Sequence, residues 1–491
     1  MQMAAVKLVI CYTSLFFISV SCFLKNVHVL EGIREGDKQS FGLYHTTKIS
    51  YLSPSSVCNP SKTQGRNKKQ SSTLEVVHRH GPCSDQLGQE NAKTKPSLSE
   101  VLSHDQSRVD YIQAQLVQAS NMNKPEDIEV NIPARSGIPL ESNYYVVSLG
   151  LGTPKQPLSL AFDTGGDLTW TQCQPCLESC YKQQDPMFNP SASSSYSNIS
   201  CNSRQCSQLF SGGTGIISSG CVSGTCVYGV QYGVEDTFSS GFLGKETLTL
   251  APGDEISNFL FGCGQYNAGK FGKIAGVLGL GKSHVSIVSQ TSQKYGKYFS
   301  YCLPSTPSSI GHLTFGKNRV SRNVEFTPLV NSQRNTPFYF IDVTSITVGG
   351  RKLPIKPEAF KSPGTIIDSG TVITRLHPAT YAALRATFTQ MMGKSVPRAP
   401  PLGILDTCYD LRKVTPESIP GVAFTFGGNV TIDSPYGAYV YDDDTSRLCL
   451  AFAANKDVRD VSIFGSTQQQ SLEVAFDVAG GKIGFGYNGC D

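Results

Sequence analysis

The chain has 491 residues, of which 39% are hydrophobic, 10% aromatic and 16% charged. Its 47 Gly and 27 Pro stand only slightly above ordinary usage, which excludes a collagen-like or wholly disordered chain. Most of the net charge of +4 sits in the first 135 residues, with 15 basic against 12 acidic side chains, and no basic run is long enough to argue for a nucleic-acid partner. A low charged fraction with many Gly and Pro suits short strands and turns, in a length with room for about two to four domains.

Residues 1–24 place Lys7 before an apolar run over 8–20 and then small residues, the pattern of a secretory signal peptide. That run is shorter than the ~20 residues a membrane span needs, so no stable membrane anchor is expected. Of the 16 Cys, 12 lie beyond residue 135, an even number that on an exported chain reads as disulfides. Cys173, Cys176 and Cys180 raise the alternative of a metal site. Only His284, His312 and His377 follow residue 135, and none has ligand spacing to those cysteines, so neither a metal nor another cofactor is expected.

Residues 25–135 hold five of the eight His, a polar stretch over 59–72 and one amphipathic helical candidate over 97–118. In that candidate Leu98, Val101, Leu102, Val109, Ile112 and Leu116 recur near helical spacing. Pro133 and Gly137 then punctuate the chain. A removable prosegment over 25–135 before a β-rich body is the simplest organisation.

The body reads as a duplication. Apolar alternating runs over 145–151 and 157–162 end at Asp163-Thr164-Gly165, and runs over 339–348 and 365–367 end at Asp368-Ser369-Gly370. Each triplet has a later hydrophobic–hydrophobic–Gly partner, Val277-Leu278-Gly279 and Ile463-Phe464-Gly465. If the two triplets meet, Asp163 and Asp368 cannot both ionise cheaply and share a proton. The ionised partner then deprotonates a water while the protonated one polarises a carbonyl, which is peptide hydrolysis without metal or covalent intermediate. Gly165 and Gly370 are expected to let the loops turn tightly and bring N–H groups to the carboxylates.

From about residue 80 to 491 the sequence resembles the pepsin-like aspartic proteases, and most closely their plant nepenthesin-like branch with its chloroplast-nucleoid-protease-like members. The resemblance rests on FDTGGDLTWTQCQPC (162–176), the Cys-rich insert over 173–226, YGVQYG (228–233), GFLGKETLTL (241–250), GVLGLG (276–281), IIDSGTVIT (366–374) and SIFGSTQQQSLEVAFDVAGGKIGFG (462–486). STLEVVHRHGPCS (72–84) is similar to prosegments of that branch. The resemblance implies a mostly β, bilobed fold, with an N-terminal lobe over 136–330, a C-terminal lobe over 331–491 and the cleft between pseudo-twofold-related lobes. It implies that Tyr232 is the flap tyrosine, that Trp170 hydrogen-bonds it, and that Thr164 and Ser369 tie the two loops together. It implies the pairings Cys173–Cys176, Cys180–Cys263, Cys201–Cys226, Cys206–Cys221, Cys302–Cys490 and Cys408–Cys449.

Two departures stand out. Position 166 is Gly where the family has a hydroxyl, whereas the second loop keeps Thr371, so Asp163 is expected to ionise less readily. The flap tip, residues 233–236, loses a Gly and carries adjacent acids. Gly276 to Ser283 matches a P-loop and Gly484 to Gly489 a dinucleotide fingerprint, but the first coincides with the family's hydrophobic–Gly loop and the second ends two residues before the chain does. Asn198 and Asn429 are glycosylation acceptors in an exported chain. The expectation is a monomeric aspartic endopeptidase made as a zymogen, with Lys and Arg of the prosegment over the aspartates at neutral pH and released as carboxylates protonate, acting on proteins or peptides in the apoplast, the vacuole or, by resemblance, the plastid. The alternative is a catalytically weak binding or inhibitor protein on the same fold.

Overall fold

The computed structural model describes residues 58, 72–78, 81–83, 97–121, 145–209, 216–232, 237–269, 271–306, 308–317, 323–331, 336–412, 419–433, 437–442 and 445–490. The expected signal peptide, residues 1–24, and the expected flap tip, residues 233–236, lie outside them. Among the described residues no helix is long and apolar enough to cross a membrane.

The architecture is mostly β with two lobes, each built round the same crossing of strands. In the first, Gln156–Asp163 runs into the loop carrying Asp163 and lies parallel to Gly276–Gly279, with Leu278 opposite Phe162. Gly276–Gly279 also pairs antiparallel with Trp170–Gln172, Val277 facing Trp170. In the second, Thr365–Ile367 lies parallel to Ser462–Phe464, and Ile463 faces Arg375 of the antiparallel Thr374–Leu376. The duplication in the sequence is thus a duplication of topology. From Leu158 onward the residues of all six strands are buried, and the strands leading to the two aspartates read as apolar runs for that reason. Gly276 and Gly279 serve this crossing rather than a phosphate, because a Cβ on them would meet the Trp170 carbonyl oxygen at 2.0 Å and the Asp167 carbonyl oxygen at 2.2 Å.

A continuous sheet joins the lobes. Tyr145–Leu151 pairs with Thr73–His78, which pairs with Ile310–Phe315; the pairing continues through Tyr298–Cys302, Glu473–Asp477, Lys482–Gly486 and Glu325–Val330. The strand Thr73–His78 comes from the expected prosegment, which therefore supplies main-chain hydrogen bonds to the body. The apolar run over 339–348 is not one strand. Tyr339–Ile341 pairs with Thr365–Ile367, and Val343–Val348 turns away to pair with Val422–Phe426, because the chain leaves one sheet for another at Asp342.

The helical candidate forms Leu98–Asn121. Ser97 and Glu100 cap it reciprocally: the Glu100 N–H donates to Ser97 Oγ at 3.2 Å and the Ser97 N–H to Glu100 Oε2 at 2.7 Å. Its apolar face docks against the C-terminal lobe, with Leu102 on Ile373 and Leu405, and Val109, Ile112 and Leu116 on Phe338, Ile366 and Ile463. Gln113 grips the main chain of Val461, donating to its carbonyl at 2.8 Å and accepting from its N–H at 3.0 Å.

Candidate active site

The two strand crossings deliver their loops to one point. Thr164 Oγ1 accepts from the Ser369 N–H at 2.9 Å, and Ser369 Oγ accepts from the Thr164 N–H at 3.2 Å. This reciprocal pair fixes both loops to their backbones and sets Asp163 and Asp368 facing one another, both buried. Gly165 N–H donates to Asp163 Oδ1 at 2.8 Å, and Gly370 N–H reaches Asp368 Oδ1 at 3.4 Å. Neither glycine has a positive φ, so left-handed turning is not what requires them. Close approach is: a Cβ on Gly165 would meet Asp368 Oδ1 at 2.9 Å, and one on Gly370 would meet the Arg108 guanidinium carbon at 2.4 Å.

That guanidinium is the cation over the aspartates, which the sequence led one to expect from the prosegment without saying which residue supplies it. Arg108, from the Leu98–Asn121 helix, lies between the carboxylates. Its Nη2 donates to Asp163 Oδ1 at 2.6 Å and Asp368 Oδ1 at 2.9 Å, and its Nε to Asp368 Oδ2 at 2.9 Å. Burial opposes the Arg108 charge, but the two carboxylates outweigh it and hold the guanidinium firmly protonated. A signal existed in the sequence: Asp105 and Arg108 continue the helix's apolar stripe between Leu102 and Val109, and charge embedded in such a stripe is expensive unless it meets a partner.

The aspartates are not equivalent. Burial raises Asp163; Arg108 opposes the rise and the Asp368 charge adds to it, leaving the carboxyl above its ordinary range. Burial also raises Asp368, but the Arg108 charge and its hydrogen bonds, with Thr371 and the Gly370 N–H, outweigh it and hold that carboxyl low. Thr371 Oγ1 donates to Asp368 Oδ2 at 2.5 Å. Gly166 offers Asp163 no such donor, yet a Cβ there would stand 3.3 Å from Asp163 Oδ2, so a serine fits with a small adjustment. Gly166→Ser is expected to move the alkaline limb of a pH–activity profile, where Asp163 gives up its proton, down by about one unit, the order of a hydrogen bond to a charged group. An unmoved profile would show the missing hydroxyl to be irrelevant.

Trp170 is fully buried, and its Nε1 donates to the Tyr232 hydroxyl at 2.6 Å. Phe271 packs edge-on against both rings. The Tyr232 N–H donates to the Thr237 carbonyl at 2.8 Å across the hairpin whose tip lies outside the described residues. A cleft between this hairpin and the helix is lined by Tyr111, Ile112, Gly166, Val230, Tyr232 and Phe338, beside Arg108 and Asp163.

Four of the implied cysteine pairings are corrected. The structure pairs Cys173 with Cys263 and Cys176 with Cys180, not Cys173 with Cys176 and Cys180 with Cys263. Thr171 stands opposite Cys263 in parallel strands, which brings Cys173 to a Cα separation of 5.3 Å from Cys263. In the insert Cys201 pairs with Cys221 and Cys206 with Cys226, not Cys201 with Cys226 and Cys206 with Cys221. Cys221 and Cys226 face each other across a hairpin, so each bonds outward, Cys206 reaching in from the helix Arg204–Leu209. Cys302 pairs with Cys490 and Cys408 with Cys449. Cys58 pairs with Cys83, a bridge to which the sequence gave no clue. Asn198 and Asn429 are both exposed.

Comparison with known proteins agrees with this geometry. A model described as the xylanase inhibitor N-terminal domain matches residues 145–317, and its C-terminal counterpart matches 338–487. An aspartyl protease family protein of Arabidopsis thaliana is 46% identical over 474 residues, 96% of this chain and 98% of its own. The aspartic proteinase nepenthesin-1 of Nepenthes gracilis is 34% identical over 387 residues, 75% of this chain and 82% of its own. Among solved structures, basic 7S globulin from soybean is similar in fold, with a TM-score of 0.55 at 21% identity, over 70% of this chain and 92% of that one. With two D-[T/S]-G loops locked face to face and relatives this similar along nearly the whole chain, the protein belongs to the pepsin-like aspartic proteases of plants.

Proposed function

We propose that the protein is an aspartic endopeptidase, held latent by the Leu98–Asn121 helix and opened by acid. The observation that carries this reading is Arg108 spanning both carboxylates, for it occupies the place where a substrate carbonyl and its attacking water must sit. Once the helix leaves, the aspartates share one proton. Thr371 favours the ionised form of Asp368, so Asp368 takes a proton from the water as its oxygen attacks the carbonyl carbon. Asp163 donates its proton to the carbonyl oxygen. The tetrahedral intermediate then collapses: one hydroxyl proton returns to Asp163, the C–N bond breaks, and the amine leaves with the proton that Asp368 had taken. The proton belongs to the pair rather than to either residue.

Acid opening follows from the charges facing the helix. The Arg108 charge lowers both Asp163 and Asp368 relative to a cleft without it, so the open cleft takes up a proton more readily than the closed one and acid favours release of the helix. Protonation of the pair strips counter-charge from buried Arg108, whereas Asp105, raised by burial and bound to Arg375, is held the more firmly in acid; the exposed Asp110–Lys456 pair at 2.7 Å stands at the helix rim. Unpaired buried charge is strongly unfavourable, so the helix is released. Residues 1–24 would export the chain, 25–135 form the prosegment, and the exposed Asn198 and Asn429 would accept glycans.

The test is cleavage of a denatured protein by the acid-treated full chain between pH 2.5 and 7, with and without pepstatin, beside an Asp163→Asn control. Cleavage stopped by both supports the reading. A folded, processed protein that cleaves nothing favours the binding-protein reading, for which the missing hydroxyl at Gly166 is the supporting observation.

A further inference from the structure

Arg375 is a second buried guanidinium, and the hydrolytic mechanism does not use it. It lies seven residues after Asp368, as Trp170 lies seven after Asp163, and the two occupy equivalent places in the two strand crossings, Trp170 facing Val277 and Arg375 facing Ile463. Trp170 reaches out of its crossing to position Tyr232 over the cleft. Arg375 reaches out of the other and meets the helix: its Nη2 donates to Asp105 Oδ2 at 2.9 Å. The Ile373 N–H donates to the same oxygen at 3.2 Å, and the Val372 N–H donates to Asp105 Oδ1 at 2.5 Å. Three donors from the body thus converge on one carboxylate supplied by the helix.

Nothing in the body replaces that carboxylate. Among the described residues, the one ion pair of Arg375 is with Asp105, its Nη1 donates to the Ile373 carbonyl at 2.9 Å, and its Nε has no hydrogen-bond partner. Beside this cradle Leu102 fills an apolar pocket walled by Ile373 and Leu405. Removal of the helix would leave a cation, two free N–H donors and an apolar hollow within the cleft that holds the aspartates.

We propose that Arg375 is a specificity residue that binds an acidic side chain of the substrate, and that Asp105 stands in for that side chain while the chain is latent. The proposal rests on the protease reading above. It assigns as substrates peptides with a Glu or Asp placed to reach Arg375, next to an aliphatic residue that takes the place of Leu102.

The test uses enzyme matured by acid from the full chain, and peptides in which one Glu is moved through each position around the scissile bond, each with a Gln twin. Assay at pH 5.5 keeps the Glu side chain ionised, its ordinary pKa being about 4.3. At one position Glu should be preferred over Gln about ten- to a hundredfold in kcat/KM, the range for a charge-assisted pair. The preference should fade as pH falls through about 4, where the peptide carboxylate protonates. Arg375→Gln should bring the ratio near one, and Arg375→Glu should favour a Lys twin. Equal cleavage of Glu and Gln twins at every position by the unmodified enzyme overturns the proposal and leaves the protease reading standing. Failure to cleave any peptide, including those without acid, overturns the protease reading and this specificity with it.

Discussion

Arg108→Ala is expected to yield a full-length chain that hydrolyses peptides at pH 6–7 without prior acid treatment, and the unaltered chain to stay latent under the same conditions. Arg108 is buried and donates three hydrogen bonds to the two aspartates. Removing one member of a buried ion network costs about 3–5 kcal/mol, which raises the population of the undocked helix by roughly 10²- to 5 × 10³-fold. The same change returns Asp163 and Asp368 to a shared proton, the state hydrolysis requires. Lys at this position should restore latency only in part, because an ammonium lacks the planar fork that meets two carboxylates at once. Hydrolysis at neutral pH, together with faster proteolytic cutting within residues 97–121, is the measurement. An Arg108→Ala chain as latent as the unaltered one would show that the helix, not its guanidinium, blocks the site.

The second large effect is on stability and concerns Asp167, two residues past Gly165. Its side chain is 1% exposed, its Oδ1 accepts from the Ser283 N–H at 2.9 Å, and its Oδ2 has no partner. Burial raises this carboxyl to about 7, against the opposing bonds from Ser283 and the charge of Lys282. In the unfolded chain an Asp gives up its proton near pH 3.9. Between those values the folded state holds a proton that the unfolded state has lost, so unfolding becomes easier as pH rises from about 4 to about 7. The full swing is about 4 kcal/mol, and it makes the fold sturdier in acid than at neutrality on this residue's account. Asp167→Asn should flatten that slope. Denaturant midpoints at pH 4 and pH 7 read it directly; an unchanged slope in the variant would place the pH dependence elsewhere.

Local pattern carried a good deal of this molecule. The helix over Leu98–Asn121 was legible because its apolar residues recur at helical spacing. The strands leading to each aspartate were legible because burial on both faces makes them continuous apolar runs. Where local pattern misled, two partners competed for one segment. The run over 339–348 is uniformly strand-like, but its two halves belong to different sheets. Cysteines in the insert were correctly read as bridged, yet Cys221 and Cys226 sit opposite each other, and which of Cys201 and Cys206 each one takes depends on the hairpin's register against its surroundings.

By itself the sequence determined the duplicated D-[T/S]-G loops, the paired carboxylates, the Trp170–Tyr232 couple implied by resemblance, and the asymmetry between Gly166 and Thr371. Each is written within a few residues of the chain, or in two segments that repeat one another. Only the tertiary structure decided that Arg108, of all the cations in residues 25–135, lies between the aspartates, and that Asp105 meets Arg375. These contacts join residues 260 and 270 positions apart. No local periodicity couples such residues. Their pairing is fixed by how one helix face docks across the strand crossings, where any charge that is buried must find its opposite.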